Sequence, residues 1–219
     1  MSKELHVPSE IDLAAFVSKE AHDLKSPFNR ALGFLKLVLK GMDGPISDQA
    51  KEDLTIAYLN IQYTLAMISA LVDMACLGRG ERQLTPESHP VDFVLQQTIS
   101  EWQRKYHKEN PVEINFSAPQ IQIQADEIII RQGIAQWISY VNEFVQEQAR
   151  IDIQVEAQSE AILFNIESRG LKRQPPPECD LTMYGFVAQK IVELHQGELL
   201  KLLETDQGAR VQFSLPKAG

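Results

Sequence analysis

The sequence predicts an α+β chain: an N-terminal antiparallel helical hairpin that pairs with a second copy into a dimeric four-helix bundle, followed by an α/β sandwich domain. Three observations carry this. Residues 11–42 repeat apolar side chains at coiled-coil spacing. A glycine, proline and serine cluster follows, and then a second run with the same spacing. From about residue 90 the pattern changes to short apolar runs alternating with helical periodicity.

In the first helix Val17, Leu24, Ala31 and Val38 hold one heptad position and Ala21, Phe28, Leu35 and Met42 the other. The segment Gly41-Met42-Asp43-Gly44-Pro45-Ile46-Ser47 supplies a helix stop, a tight turn and a Ser N-cap. Leu54, Tyr58, Ile61, Leu65, Ile68, Val72 and Ala75 then continue the seam on a second helix. Two helices alone cannot cover such seams, so a homodimer is the economical arrangement; coverage by residues 84–219 of the same chain is the alternative. Gly78-Arg79-Gly80-Glu81 breaks the second helix. This sets the hairpin at residues 11–80 and the sandwich domain at 84–219.

In the second region Pro90 opens an element that runs to about Tyr106, and strands are expected at Val112–Phe116 and Ile121–Ile123. A helix over residues 127–148 precedes strands at Ile151–Ala157 and Ile162–Ile166. A helix near Met183–His195 and strands at Leu199–Leu203 and Val211–Leu215 complete one sheet with helices on one face. Gln174-Pro175-Pro176-Pro177 reads as a short stiff loop.

The 219 residues are 44% hydrophobic, ordinary for a folded protein, and the net charge of -9 provides no basic field for nucleic acid. The two cysteines, Cys76 and Cys179, are far apart and lack metal-ligand spacing, which reads as free thiols in a reducing cytoplasm and no metal site. No signal pattern is present and no apolar run approaches the ~20 residues that cross a bilayer, so a cytoplasmic protein without a membrane partner is expected. His6, His89, His107 and His195 show no ligand spacing and read as surface or edge residues.

His22 stands apart. It follows the seam residue Ala21 and so lies at the edge of the buried stripe, with its imidazole in solvent. Pro27 has no N–H for the carbonyl of Asp23, which loosens the helix just beyond His22. A neutral imidazole keeps one nitrogen free as a nucleophile, and Asp23 can orient the ring and accept its proton. By spacing alone, an exposed His beside an Asp fits an ordinary helix surface as well.

The segment His22-Asp23-Leu24-Lys25-Ser26-Pro27 resembles the phosphoacceptor box of sensor histidine kinases, in the first helix of the hairpin where that family places it. The likeness continues through Pro90-Val91-Asp92-Phe93, Ala125-Asp126 through Phe144, and Ile191-Val192-Glu193-Leu194-His195-Gln196-Gly197, covering residues 11–216. It implies a kinase-type ATPase-like sandwich after the hairpin, with His22 as phosphoacceptor, Asp23 as general base and orienting group, and Ser26 at the phosphatase-linked position.

At the family's nucleotide positions the match fails. Aligned on Asp126, Arg131, Gln132 and Phe144, the magnesium-binding Asn falls on Tyr140, with Asn142 two residues away. The adenine-accepting Asp is Ser168, with Glu167 one residue off on the other face of a strand. Thr182 and Tyr184 replace the phosphate-cradling glycines, with Gly185 displaced by one, and only residues 171–181 remain for a nucleotide lid. The resemblance therefore implies a histidine phosphotransferase or pseudo-kinase of two-component signalling, with no cofactor of its own and without ATP. Phosphate then comes from a response-regulator receiver domain, and Mg²⁺ is supplied by that regulator. Lys19, Lys25 and Arg30 flank His22 and suit an acidic receiver pocket, or simply solvate the helix. Two alternatives stay open: an active kinase with an atypical nucleotide site, and a non-catalytic dimeric adaptor for a kinase or regulator.

Overall fold

The structure, a computed structural model, describes residues 12–77, 84–106, 110–118, 120–146, 148–170, 182–205 and 208–217. The chain divides into two compact units, Met1–Glu81 and Arg82–Gly219. The expected helix break at residues 78–81, the proline loop at 174–177, the lid at 171–181, His6, His107 and Cys179 lie outside the described residues.

In the first unit α1 spans Leu13–Leu39 and α2 spans Asp48–Leu77. Asp12 caps α1 by accepting from the Ala15 N–H at 3.0 Å. The helix ends in a Schellman motif: Gly41, at φ 74°, donates to the Val38 carbonyl and Met42 donates to Leu37. That motif corrects one expectation. Met42 falls past the helix end, so it does not continue the helical seam. Ser47 caps α2 as predicted, its Oγ accepting from the Ala50 N–H at 3.2 Å. Pro27 sits inside α1 without ending it.

The two helices run antiparallel, with Ser18 of α1 beside Cys76 of α2. Ala21, Ala66 and Ala70 are buried between them, small enough to let the backbones approach. Leu24, given a seam position by its heptad, is exposed within the single chain. The expectation that no segment could cross a bilayer is corrected by α2, which is long and apolar enough by length and composition alone. A helix that packs apolar stripes against more than one neighbour has the same composition.

The second unit holds β1 (Glu87–Pro90), α3 (Val91–Tyr106), β2 (Val112–Phe116), β3 (Gln122–Ala125), α4 (Glu127–Phe144), β4 (Ile151–Ala157), β5 (Ala161–Arg169), α5 (Met183–Leu194), β6 (Glu198–Thr205) and β7 (Gly208–Pro216). Five strands form one sheet in the order β2-β4-β5-β7-β6, parallel between β2 and β4 and antiparallel elsewhere. The ribbon of β1 with β3 is separate. Sequence periodicity missed β1, because Glu87-Ser88-His89-Pro90 has no apolar alternation and is a strand only through its pairing with β3. The helix expected to reach residue 148 ends at Phe144, where Val145 turns extended.

Helix α4 lies across β5 and β7, α5 against β6 and β7, and α3 beside α4. Alternate residues of the strands, including Ile151, Ile153, Phe164, Ile166, Val211 and Phe213, are buried beneath these helices, whereas Gln154 and Glu156 on the other face are exposed. Phe164 and Phe213 stack at 5.0 Å across adjacent strands, and Trp137 of α4 stacks on Phe213 at 6.3 Å. The second unit is thus a two-layer sandwich with its core between helices and sheet.

His195, expected at the surface or an edge, is buried instead. Its Nε2 accepts from the Asp126 N–H at 3.2 Å, and Nδ1 faces the Ile191 carbonyl at 2.8 Å. The ring joins the end of α5 to the start of α4, a contact between residues far apart in sequence. Asp126 in turn caps α4, accepting from the Ile129 N–H and from the N–H and hydroxyl of Thr85. Burial pushes its carboxyl pKa up, but these three hydrogen bonds and the nearby His195 outweigh that and hold it below the usual carboxylate range. A depressed folded pKa stabilises the fold above the unfolded value of about 3.9, and that contribution disappears as pH falls through the folded value. Asp126→Asn keeps a capping oxygen and loses the titration. Denaturant midpoints of wild type and Asp126→Asn should therefore converge as the pH drops below 4; a gap independent of pH would contradict this.

Candidate functional site

The structure brings His22, Asp23, Lys19, Lys25, Ser26 and Arg30 together on one stretch of α1. Spacings of three and four residues put Lys19, Lys25 and Ser26 within one turn of His22 on its face. The His22 side chain is 85% exposed and that of Asp23 67%, whereas the adjoining Ala21 is buried against α2. The imidazole is thereby held at the rim of the packed seam, open to a macromolecule.

His22 Nδ1 lies 3.2 Å from Asp23 Oδ1. A carboxylate can only accept, so the hydrogen belongs to Nδ1 and Nε2 carries the outward lone pair. That arrangement makes Nε2 a nucleophile, with a carboxylate behind the ring to receive positive charge as a bond forms. Lys25 is half-buried, while Lys19, Ser26 and Arg30 are exposed.

The positions that the kinase resemblance assigns to nucleotide are built into the fold. Tyr140, where the metal-binding amide is expected, is 2% exposed and packs edge-on to Trp137 at 5.7 Å and to Phe144 at 5.0 Å. Ser168 is fully buried and donates its hydroxyl hydrogen to the Arg150 carbonyl at 2.6 Å, tying the end of β5 to the loop after α4. Gln146 reinforces that junction by donating its N–H to the Gly170 carbonyl at 2.9 Å. Glu167, on the opposite face of β5, accepts from Arg210 Nε at 2.8 Å and is not displaced toward the helices. Thr182 caps α5, its Oγ1 facing the Gly185 N–H at 3.5 Å, and Tyr184 is buried in the first turn.

The sequence reading did not identify the contact between Ser18 Oγ and Cys76 Sγ, 3.7 Å apart one turn before His22. Nothing in either residue signals it; the register of the hairpin creates it.

Hairpin and sandwich together have the fold of the histidine kinase catalytic region. Full-length ShkA, solved in complex with AMPPNP, superposes with a TM-score of 0.68 over 94% of this chain and 46% of ShkA, at 18% identity. The Acinetobacter baumannii histidine kinase AdeS gives 0.59 over 90% of this chain and 97% of its own, at 16% identity. Histidine kinase ThkA, in complex with the response regulator TrrA, gives 0.58 over 96% and 68%, at 15% identity. Among curated proteins, the chain is 20% identical to the non-motile and phage-resistance protein of Caulobacter vibrioides, over 92% of this chain and 27% of that protein. It is 22% identical to the phytochrome-like protein Cph1 of Synechocystis, over 95% and 30%. The chain therefore spans less than a third of the length of these curated relatives. No family profile matches it.

Proposed function

We propose that this chain carries phosphate in two-component signalling, with His22 exchanging it with the aspartate of a response-regulator receiver domain. The observation that carries the reading is an exposed imidazole whose Nδ1 is engaged by Asp23, leaving Nε2 outward. In the transfer, Nε2 attacks the phosphorus of an aspartyl phosphate. The N–P bond forms as the bond from phosphorus to the carboxylate oxygen breaks, and the aspartate leaves as a carboxylate. Positive charge builds on the ring, and Asp23 draws the Nδ1 proton toward itself. Passage to a second regulator reverses these steps.

A kinase of the same fold is solved in complex with a response regulator, which favours this partner class. Mg²⁺ arrives with the receiver, and Lys19, Lys25 and Arg30 supply positive charge facing it. Ser26, one turn beyond His22, is assigned to orienting water in dephosphorylation. A homodimer completes the bundle: Phe34 is 70% exposed, and Phe16, Ile56, Tyr63 and Leu71 are exposed as well, an apolar surface a second hairpin would cover. Tyr140, Ser168, Thr182 and Tyr184 do not fit a magnesium nucleotide, because the first, second and fourth are buried and the third caps a helix.

The test uses the purified chain in two arms, one with radiolabelled Mg-ATP alone and one with a receiver domain phosphorylated by a small-molecule donor. Acid-labile label on the chain is expected only in the second. Label from Mg-ATP alone would replace this reading with an active kinase. Binding of the receiver without label in either arm would leave an adaptor.

A further inference from the structure

We propose that Ser18 and Cys76 are a positioning pair for His22, an inference that rests on the phosphotransfer reading above. Ser18 precedes His22 by four residues and so lies one helical turn away on the same face. Helical side chains lean toward the N-terminus, so the imidazole projects from the turn that also holds Ser18. Ser18 Oγ lies 3.7 Å from Cys76 Sγ, a solvent-exposed contact in which either group can donate, and it links this turn of α1 to the end of α2.

On the other side of His22 the helix is weaker. Pro27 lies inside α1 and brings no N–H to the Asp23 carbonyl. His22 thus projects from a turn pinned on its N-terminal side and loosened on its C-terminal side. In-line transfer requires Nε2 to point along the breaking bond, and small misplacements of a nucleophile are costly. The pair fixes the turn from which the ring projects. It does not touch the phosphate, and a thiol is a weak hydrogen-bonding partner.

The experiment measures single-turnover transfer from a phosphorylated receiver domain to the full chain as a function of receiver concentration. Wild type, Ser18→Ala, Cys76→Ala, the double variant and Ser18→Thr are compared. Ser18→Ala and Cys76→Ala should each lower the maximal rate about five- to tenfold, with the half-saturating receiver concentration nearly unchanged. The double variant should be no slower than the slower single one, and Thr, which restores the hydroxyl, should recover most of the rate. Unchanged maximal rates, multiplicative single effects, or a change confined to half-saturation would each overturn the pair. If wild-type His22 takes no phosphate in the same assay, the phosphotransfer reading fails and this proposal with it, an outcome distinguishable because every variant then stays unlabelled.

Discussion

His22→Gln is expected to abolish phosphate uptake from a phosphorylated receiver domain while leaving the fold and receiver binding intact. The side chain is 85% exposed and its hydrogen-bonding partner is the neighbouring Asp23, itself exposed. A substitution at such a surface position changes stability by about 0.5 kcal/mol or less. Glutamine keeps a polar side chain of similar reach but has no nucleophilic nitrogen, so label should fall to background while the melting temperature is unmoved. Asp23→Asn gives a graded counterpart: an amide oxygen can still accept from Nδ1, but it cannot take the proton or offset the charge that develops on the ring. Transfer should slow by about 10²-fold, the lower end of what a positioned general base contributes. Rapid-quench measurement of phosphohistidine on the three proteins checks both expectations. Residual acid-labile phosphate on His22→Gln would place the acceptor elsewhere, and a wild-type rate in Asp23→Asn would remove the carboxylate from the mechanism.

How much of this was legible in the sequence depends on the range of each interaction. The Schellman stop at Gly41, the Ser47 cap and the strands Val112–Phe116 and Ile151–Ala157 are local, set by residues within one turn or one pleat, and their positions follow from the sequence. The exposure of His22 follows from its place beside Ala21 in the same way. What periodicity could not supply was contact between distant segments. His195 is a buried joint only because β3 carries Asp126 to the end of α5, and β1 is a strand only because β3 lies beside it. The Ser18–Cys76 contact depends on a hairpin register that spacing leaves undetermined. The heptad also overran at its end: Met42 has the right spacing but follows a glycine whose positive φ had already ended the helix. The nucleotide positions lie between these cases. The departures from the family pattern were visible as residue types, but the roles that Tyr140 and Ser168 now fill in packing and hydrogen bonding came only from the structure.

Those roles lead to the second large effect. Tyr140→Asn restores the amide that the kinase pattern places on this helix, and it should cost about 3–5 kcal/mol without creating a nucleotide site. Tyr140 is almost fully buried between Trp137 and Phe144, and Trp137 passes that packing on to Phe213 and Phe164 in the sheet. An asparagine there removes the ring, leaves a cavity beside two aromatic neighbours and buries an amide whose hydrogen bonds are not provided for. Domains of this size have about 5–15 kcal/mol of stability, so the loss is a large share of the total. Tyr140→Phe keeps the ring that packs on Trp137 and Phe144 and should change stability by less than about 1 kcal/mol, which separates the packing of the ring from any part played by the hydroxyl. Urea denaturation of the three proteins gives the stabilities, and melting with and without Mg-ATP tests for a recovered pocket. A working site at 100 times its dissociation constant would stabilise the fold by about 2.7 kcal/mol. No such shift is expected, because Ser168 remains tied to Arg150 and Thr182 and Tyr184 still occupy the start of α5. An asparagine variant as stable as wild type, or one that Mg-ATP stabilises, would mean that position 140 still faces a usable nucleotide pocket and that the tyrosine is only its lid.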